Sequence, residues 1–215
     1  MAVPRVWAVI VAAGWGERFG GPKQFAELGG ARLVDHAIDT AAAACDAVAV
    51  VVPDATDWHG AAVDALVTGG ATRAESVRAG LSAVPPTAEI VVVHDAARPL
   101  ATPALFEAVI TAVRNGADGA VPGLAVTDTL KRVDDVRVTA TVDRMGLVTV
   151  QTPQAFRAVM LRRALDVPAD VIAAATDDAW LVERAGGSVR VVESPPSNFK
   201  VTTPHDLAVA ESLLC

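Results

Sequence analysis

The 215-residue sequence predicts an α/β fold in which helices cover both faces of a doubly wound, mainly parallel sheet and one β-hairpin arm projects from it. Three observations carry that expectation. Continuous apolar, β-branched runs recur along the chain, stretches of helical periodicity separate most of them, and one segment alternates β-branched with polar residues around a polar centre.

The apolar runs lie at residues 6–11, 47–52, 90–93, 119–121 and 189–192. Strands apolar throughout, instead of alternating, belong in a sheet covered on both sides. Helical periodicity falls at 33–44, 73–84, 103–115, 156–165 and 177–185. The alternating segment, VTDTLKRVDDVRVTATV at 126–142, turns at Asp134–Asp135 and reads as a hairpin within an arm of about 125–146. With so little apolar content it needs a surface to pack on: another subunit, or its own domain. Thr203 as N-cap, Pro204 at the first helical position and Asp206 in the first turn begin a last helix that runs through Leu213. No linker or repeat interrupts the chain, so residues 1–215 are expected to form one domain.

Composition narrows the function. Hydrophobic residues make up 52% and charged residues 20%, enough to bury a substantial core. The net charge of −7 opposes general affinity for nucleic acid or anionic lipid, so any anion site must rest on locally gathered cations. The apolar stretches at 6–13 and 41–45 fall short of the roughly 18 residues of a membrane span. Arg5 followed by VWAVIVAA imitates a secretory signal, but Glu17, Arg18 and Lys23 follow at spacings that suit a functional loop, and the run reads as a buried strand. Cys45 and Cys215 form no metal-ligand pattern, and a reducing cytoplasm is expected.

AAGWGERFGGPKQF, residues 12–25, follows the first strand directly. Ligands of open α/β sheets sit beyond the carboxyl ends of strands, where a glycine-rich turn lets backbone N–H groups approach phosphate oxygens. Glycines alone make a tight turn; Arg18 and Lys23 add the charge of an anion site, and Pro22 restrains the chain before Lys23. The loop has no Gly-Lys-Ser/Thr triplet, and Gly14-x-Gly16-x-x-x-Gly20 is one residue too long for GxGxxG, which weakens ATPase and NAD readings.

Further charged positions accompany strand ends. VVVHDAARP at 91–99 ends in His94, Asp95 and Arg98; Asp95 suits binding ribose hydroxyls or helping to hold Mg²⁺ and water, whereas His94 is expected to be structural. GGATRAESVRAGL at 69–81 leads from Gly69–Gly70 into a helix whose Ser76 suits base recognition, and Arg73 there is expected at the surface. TVDRMGLVTVQTPQAF at 141–156 carries Asp143 and Arg144, with Thr152-Pro153 expected to open the next helix. Lys200 stands at the end of the last strand.

Taken in order, AAGWGERFGGPKQF, GGATRAESV, VHDAARP, VTDTLKR, TVDRMGL with QTPQAF, TDDAWLVE and NFKVTTPHDLAVAE resemble the 2-C-methyl-D-erythritol 4-phosphate cytidylyltransferase family from residue 8 to residue 211. The resemblance implies a Rossmann-like nucleotidyltransferase domain of the nucleotide-diphospho-sugar transferase type. It also implies a homodimer with interlocked arms, Mg²⁺ dependence and a place in non-mevalonate isoprenoid biosynthesis. By this resemblance Arg18, Lys23 and Lys200 are the catalytic cations, and Ala12, Ala13, Gly14 and Gly16 form the nucleotide-contacting turn. Gly70 and Ser76 correspond to positions that recognise cytosine; Asp95, Ala96 and Arg98 lie near ribose and substrate. Thr129 and Arg144 would reach from a partner's arm to the acceptor phosphate, with Thr152 and Thr176 lining that pocket. Two departures stand out: Ala71, where the family often has an acidic residue, and Val148, where it often has an aromatic.

The implied reaction is an in-line attack of the polyol phosphate on the α-phosphorus of CTP. Phosphate is already ionised at neutral pH, so no general base is needed, in keeping with the lack of a Ser/His/Asp or Cys/His set. Ribitol 5-phosphate cytidylyltransferase and molybdopterin guanylyltransferase share a similar first loop, and a CTP-binding sensor without turnover is the alternative from outside catalysis.

Overall fold

The computed structural model describes residues 5–54 and 56–214; Cys215 lies outside them. Its strands are β1 (Val6–Val11), β2 (Glu27–Leu28), β3 (Ala31–Arg32), β4 (Ala47–Val52), β5 (Ala65–Thr68), β6 (Ile90–Asp95) and β7 (Gly119–Ala125), then β8 (Leu130–Asp134), β9 (Arg137–Val142), β10 (Val148–Val150), β11 (Gln154–Arg157) and β12 (Val189–Glu193). The helices are α1 (Leu33–Ala44), α2 (Arg73–Ala83), α3 (Pro103–Arg114), α4 (Ala158–Leu165), α5 (Ala169–Ala174), α6 (Asp178–Arg184) and α7 (Pro204–Ser212).

Eight strands form the central sheet. Parallel pairing joins β5 to β4, β4 to β1, β1 to β6, and β7 to β12. Between β6 and β7 runs β11, antiparallel to both, and β10 continues that line along the far half of β7. The sheet is therefore mainly parallel, as the apolar runs imply, and the fold is Rossmann-like, as the resemblance implies.

Strand alternation divides the core in two. Val9, Val51, Val91 and Val93 face Val77, Leu81, Leu161 and Leu181 of α2, α4 and α6. Ala8, Ile10, Val50 and Val92 face Val34, Ile38, Phe106 and Ile110 of α1 and α3. Both faces of β1, β4 and β6 at the centre of the sheet are thus removed from water, which is why these strands are apolar nearly throughout and carry polar residues only at the carboxyl end of β6. Fully burying a side chain the size of Phe106 contributes about 1.5–3 kcal/mol.

Three expectations are corrected. The helix expected from residue 156 starts at Ala158, because Gln154, Ala155 and Phe156 are buried as strand β11 between β6 and β7. A short apolar run does not by itself distinguish strand from helix. For the same reason Thr152-Pro153, a cis peptide, opens that strand and not a helix. The hairpin forms from β8 and β9, with Asp134 paired to Arg137 and the turn one residue later than expected, at Asp135–Val136. Asp135 takes the left-handed conformation there, at φ 50°, which aspartate tolerates. Val133, Val136 and Val138 of the arm are exposed, Val136 to 90%.

Candidate active site

The cavity lies where β1 and β6 deliver their carboxyl ends and β5 leads toward α2, and it encloses about 390 Å³. Four separate segments line it. The first contributes Ala12, Ala13, Gly14, Gly16 and Arg18, followed by Lys23 and Gln24; the second contributes Gly70, Ala71, Arg73 and Ser76. Asp95 and Ala96 come from the end of β6, and Lys200 from the approach to α7.

Local chemistry shapes each wall. The Gly16 carbonyl accepts hydrogen bonds from the N–H groups of Phe19, Gly20 and Gly21, curling the loop into a short 3₁₀ turn at Glu17–Phe19. Gly16 has φ 65°, and a Cβ there would collide with the Gly21 carbonyl oxygen, so the turn requires glycine. On the second wall Thr72 caps α2: its hydroxyl accepts from the Glu75 N–H while the Glu75 carboxylate accepts from the Thr72 N–H. The Ser76 hydroxyl accepts from the Gly70 N–H at 3.2 Å and donates to the Thr72 carbonyl at 3.0 Å, which fixes the small-residue turn.

A shared apolar cluster brings the cations together. Phe19, beside Arg18, packs with Leu28, Leu33 and Val201, as do Phe199 and Leu207. Lys200, between Phe199 and Val201, is thereby held beside the glycine-rich loop. Its Nζ donates to Asp95 Oδ2 at 2.7 Å, while Arg73 Nε donates to Asp95 Oδ1 at 2.9 Å and Arg73 Nη1 to Asp178 Oδ2 at 2.8 Å.

These contacts set the charge states. Burial favours the neutral form of Asp95, but Arg73 and Lys200 outweigh it and hold the carboxyl well below the usual range. Burial opposes charge on Arg73 too, and Asp178 and Asp95 more than compensate. At Asp178 burial prevails and raises the carboxyl's pKa, although Arg73 opposes it. Lys23 is pushed down by burial, then by the nearby Lys200 and Arg18 cations. Burial pushes His94 down to about 4; its Nδ1 lies 3.1 Å from the Thr152 hydroxyl and its Nε2 3.2 Å from the Arg98 carbonyl.

The residues expected on the acceptor side do not line this cavity. Arg98 donates from Nη1 to the Asn198 carbonyl at 2.7 Å, and burial lowers its pKa. Thr152 is buried behind Asp95, its hydroxyl accepting from the Asp95 N–H at 3.1 Å, and so departs from the pocket-lining position expected of it. Thr129 and Arg144 are exposed at the foot of the hairpin, and Thr176 is exposed just before α6.

Sequence reasoning assigned Arg73 to the surface and did not single out Asp178, Gln24 or Asn198. The signal for Asp178 was its spacing: Asp178, Leu181 and Val182 share the buried face of α6 at i, i+3 and i+4. For Arg73 it was the Thr72/Glu75 capping box, which places the arginine at the first helical position, facing the strand ends. Ala71 lines the cavity with only a methyl group, so a contact there is limited to its backbone. Val148 pairs with Ala125 on β10.

Among the described residues no cluster of three or more His, Cys, Asp or Glu could hold a metal ion. No helix among them is long and apolar enough to cross a membrane.

Residues 6–215 match the family model described as 2-C-methyl-D-erythritol 4-phosphate cytidylyltransferase. A curated relative of that name from Nocardia farcinica is 46% identical, with 97% of this chain and 94% of the relative covered. One from Rhodococcus jostii is 45% identical, covering 97% and 95%. The crystal structure of 2-C-methyl-D-erythritol 4-phosphate cytidylyltransferase from Thermus thermophilus superposes with a TM-score of 0.83 at 34% identity, covering 96% of this chain and 97% of that one.

Proposed function

The chain belongs to the 2-C-methyl-D-erythritol 4-phosphate cytidylyltransferase family, and from that premise we propose how its residues carry the reaction. CTP and 2-C-methyl-D-erythritol 4-phosphate are converted to 4-diphosphocytidyl-2-C-methyl-D-erythritol and pyrophosphate, a step of isoprenoid biosynthesis. A phosphate oxygen of the acceptor bonds to the α-phosphorus of CTP, the bond from that phosphorus to the bridging oxygen breaks, and pyrophosphate departs with its electron pair.

The obstacle is charge, since two anions must meet. Arg18, Lys23 and Lys200 neutralise the triphosphate and the charge that develops on the leaving group; each such preorganised cation is worth about 3–4 kcal/mol. Ala12, Ala13, Gly14 and Gly16 present the backbone to the nucleotide, Gly70 and Ser76 read the base, and Asp95 and Ala96 face the ribose. The convergence of these segments on one cavity supports the roles.

A Mg²⁺ ion arriving with CTP would take its ligands mainly from phosphate oxygens and water; Asp95 is the carboxylate lining the cavity, and it would hold the ion only by giving up Lys200 or Arg73, which now occupy its two oxygens. When bound, the ion supplies further charge neutralisation to the triphosphate.

We read residues 1–215 as one nucleotidyltransferase domain acting in a homodimer, the arm at about 125–146 packing on a second copy. The exposed Val133, Val136 and Val138 support that reading. Thr129 and Arg144 then grip the acceptor phosphate in the partner's site, with Arg98 and Thr176 beside it and Thr152 holding the Asp95 backbone. Cys45 remains a free thiol, its pKa pushed up to about 12 by burial, in keeping with the cytoplasm.

Pyrophosphate release tests the reading when CTP and GTP are each crossed with methylerythritol phosphate and ribitol 5-phosphate. Turnover with CTP and methylerythritol phosphate is expected. Preference for ribitol 5-phosphate, or CTP binding with no turnover on either acceptor, overturns it.

A further inference from the structure

We propose that Asp178 is a positioning residue for the transfer, holding Lys200 in place through Arg73 and Asp95. The relay is a chain of three ion pairs that links four segments of the fold. Asp178 begins α6 and is fully buried; Arg73 begins α2; Asp95 ends β6; Lys200 approaches α7. Arg73 spans the two carboxylates, Nη1 on Asp178 Oδ2 at 2.8 Å and Nε on Asp95 Oδ1 at 2.9 Å. Asp95 Oδ2 is thereby left to Lys200, at 2.7 Å.

Asp178 keeps that division. A guanidinium prefers to meet one carboxylate as a two-pronged fork. Released from Asp178, Arg73 is free to turn Nε and Nη2 onto both oxygens of Asp95 and displace Lys200 from Oδ2. Stability does not account for the arrangement. Asp178 Oδ1 is buried with no hydrogen-bond partner, and a half-satisfied buried ion pair is a poor stabiliser next to an apolar replacement. An uncompensated polar atom beside an active cavity is where a fold is expected to give up stability for function.

The inference rests on the catalytic reading of Lys200, and a double-mutant cycle separates the two. Lys200→Ala alone tests that reading; near-normal turnover removes it and the relay with it. Asp178→Asn keeps the shape and removes the charge. Alone it is expected to lower kcat at least about tenfold. In the Lys200→Ala background the same change is expected to cost less than about twofold, since the group it acts through is gone. Arg73→Lys, whose single ammonium cannot span both carboxylates, is carried through the same cycle in case the asparagine variant fails to fold, and is expected to show the same pattern. Equal factors in both backgrounds, or an unchanged kcat in the single variants, overturn the proposal.

Discussion

Lys200 Nζ donates to Asp95 Oδ2 at 2.7 Å, joining a half-exposed cation to a nearly buried carboxylate 105 residues earlier in the chain. The pair holds positive charge at the end of β6. Its partial exposure keeps the attraction modest, so an arriving triphosphate can compete for the ammonium.

Arg144 and Lys200 are expected to serve the same site from different subunits. Arg144→Ala should raise KM for the acceptor with little change in KM for CTP. Mixing Arg144→Ala and Lys200→Ala subunits, each nearly inactive at low acceptor concentration, should restore up to about a quarter of wild-type activity, because half the dimers then carry one intact site. Absence of recovery after subunit exchange would place both residues in one chain's site.

Lys23 must keep its proton to act as a cation, yet burial, Lys200 and Arg18 all favour losing it. The alkaline limb of kcat/KM for CTP, which reports the free enzyme, is therefore expected below the ordinary lysine value of 10.5. Arg18→Ala removes one repelling charge, which raises the Lys23 pKa and should move that limb to higher pH even as the rate falls. A limb that stays in place in the variant contradicts the coupling.

His94 is buried and neutral, with a folded pKa of about 4 against 6.5 for the free group. The unfolded chain therefore takes up this proton first as pH falls, and stability drops between about pH 6.5 and 4 by an amount on the order of 3 kcal/mol. Asp95 adds nothing in that window, because its depressed pKa withdraws stability only below the ordinary carboxylate range, whereas Asp178, its pKa raised by burial, takes up its proton in the folded chain first and offsets part of the loss. Urea unfolding midpoints at pH 7 and pH 5, compared between the wild type and His94→Gln, measure the effect; the same pH difference in both proteins contradicts it.

The sheet was largely legible because covered strands admit only apolar residues: 6–11 and 47–52 are strands β1 and β4, and 33–44 is helix α1, to the residue. Capping chemistry marked α7 equally well through Thr203 and Pro204. Strand β5 was missed because Ala65–Thr68 alternates half-buried and exposed positions over four residues, too short a run to stand out. The glycine loop with its cations, and Asp95 at the end of β6, were readable from their place after apolar strands; Lys200, expected at the end of the last strand, lies instead beyond Glu193, where β12 ends, in the approach to α7. Arg73 and Asp178 were not readable, since their place depends on a pairing 105 residues apart in the chain that no local pattern encodes.

In the proposed mechanism, cations from distant segments act together on a triphosphate. Steady-state kcat of Lys23→Ala and of Lys200→Ala, with folding checked by circular dichroism, tests this most directly. Each is expected to fall at least about a hundredfold while the native spectrum persists. Folded variants that both turn over near the wild-type rate would contradict it.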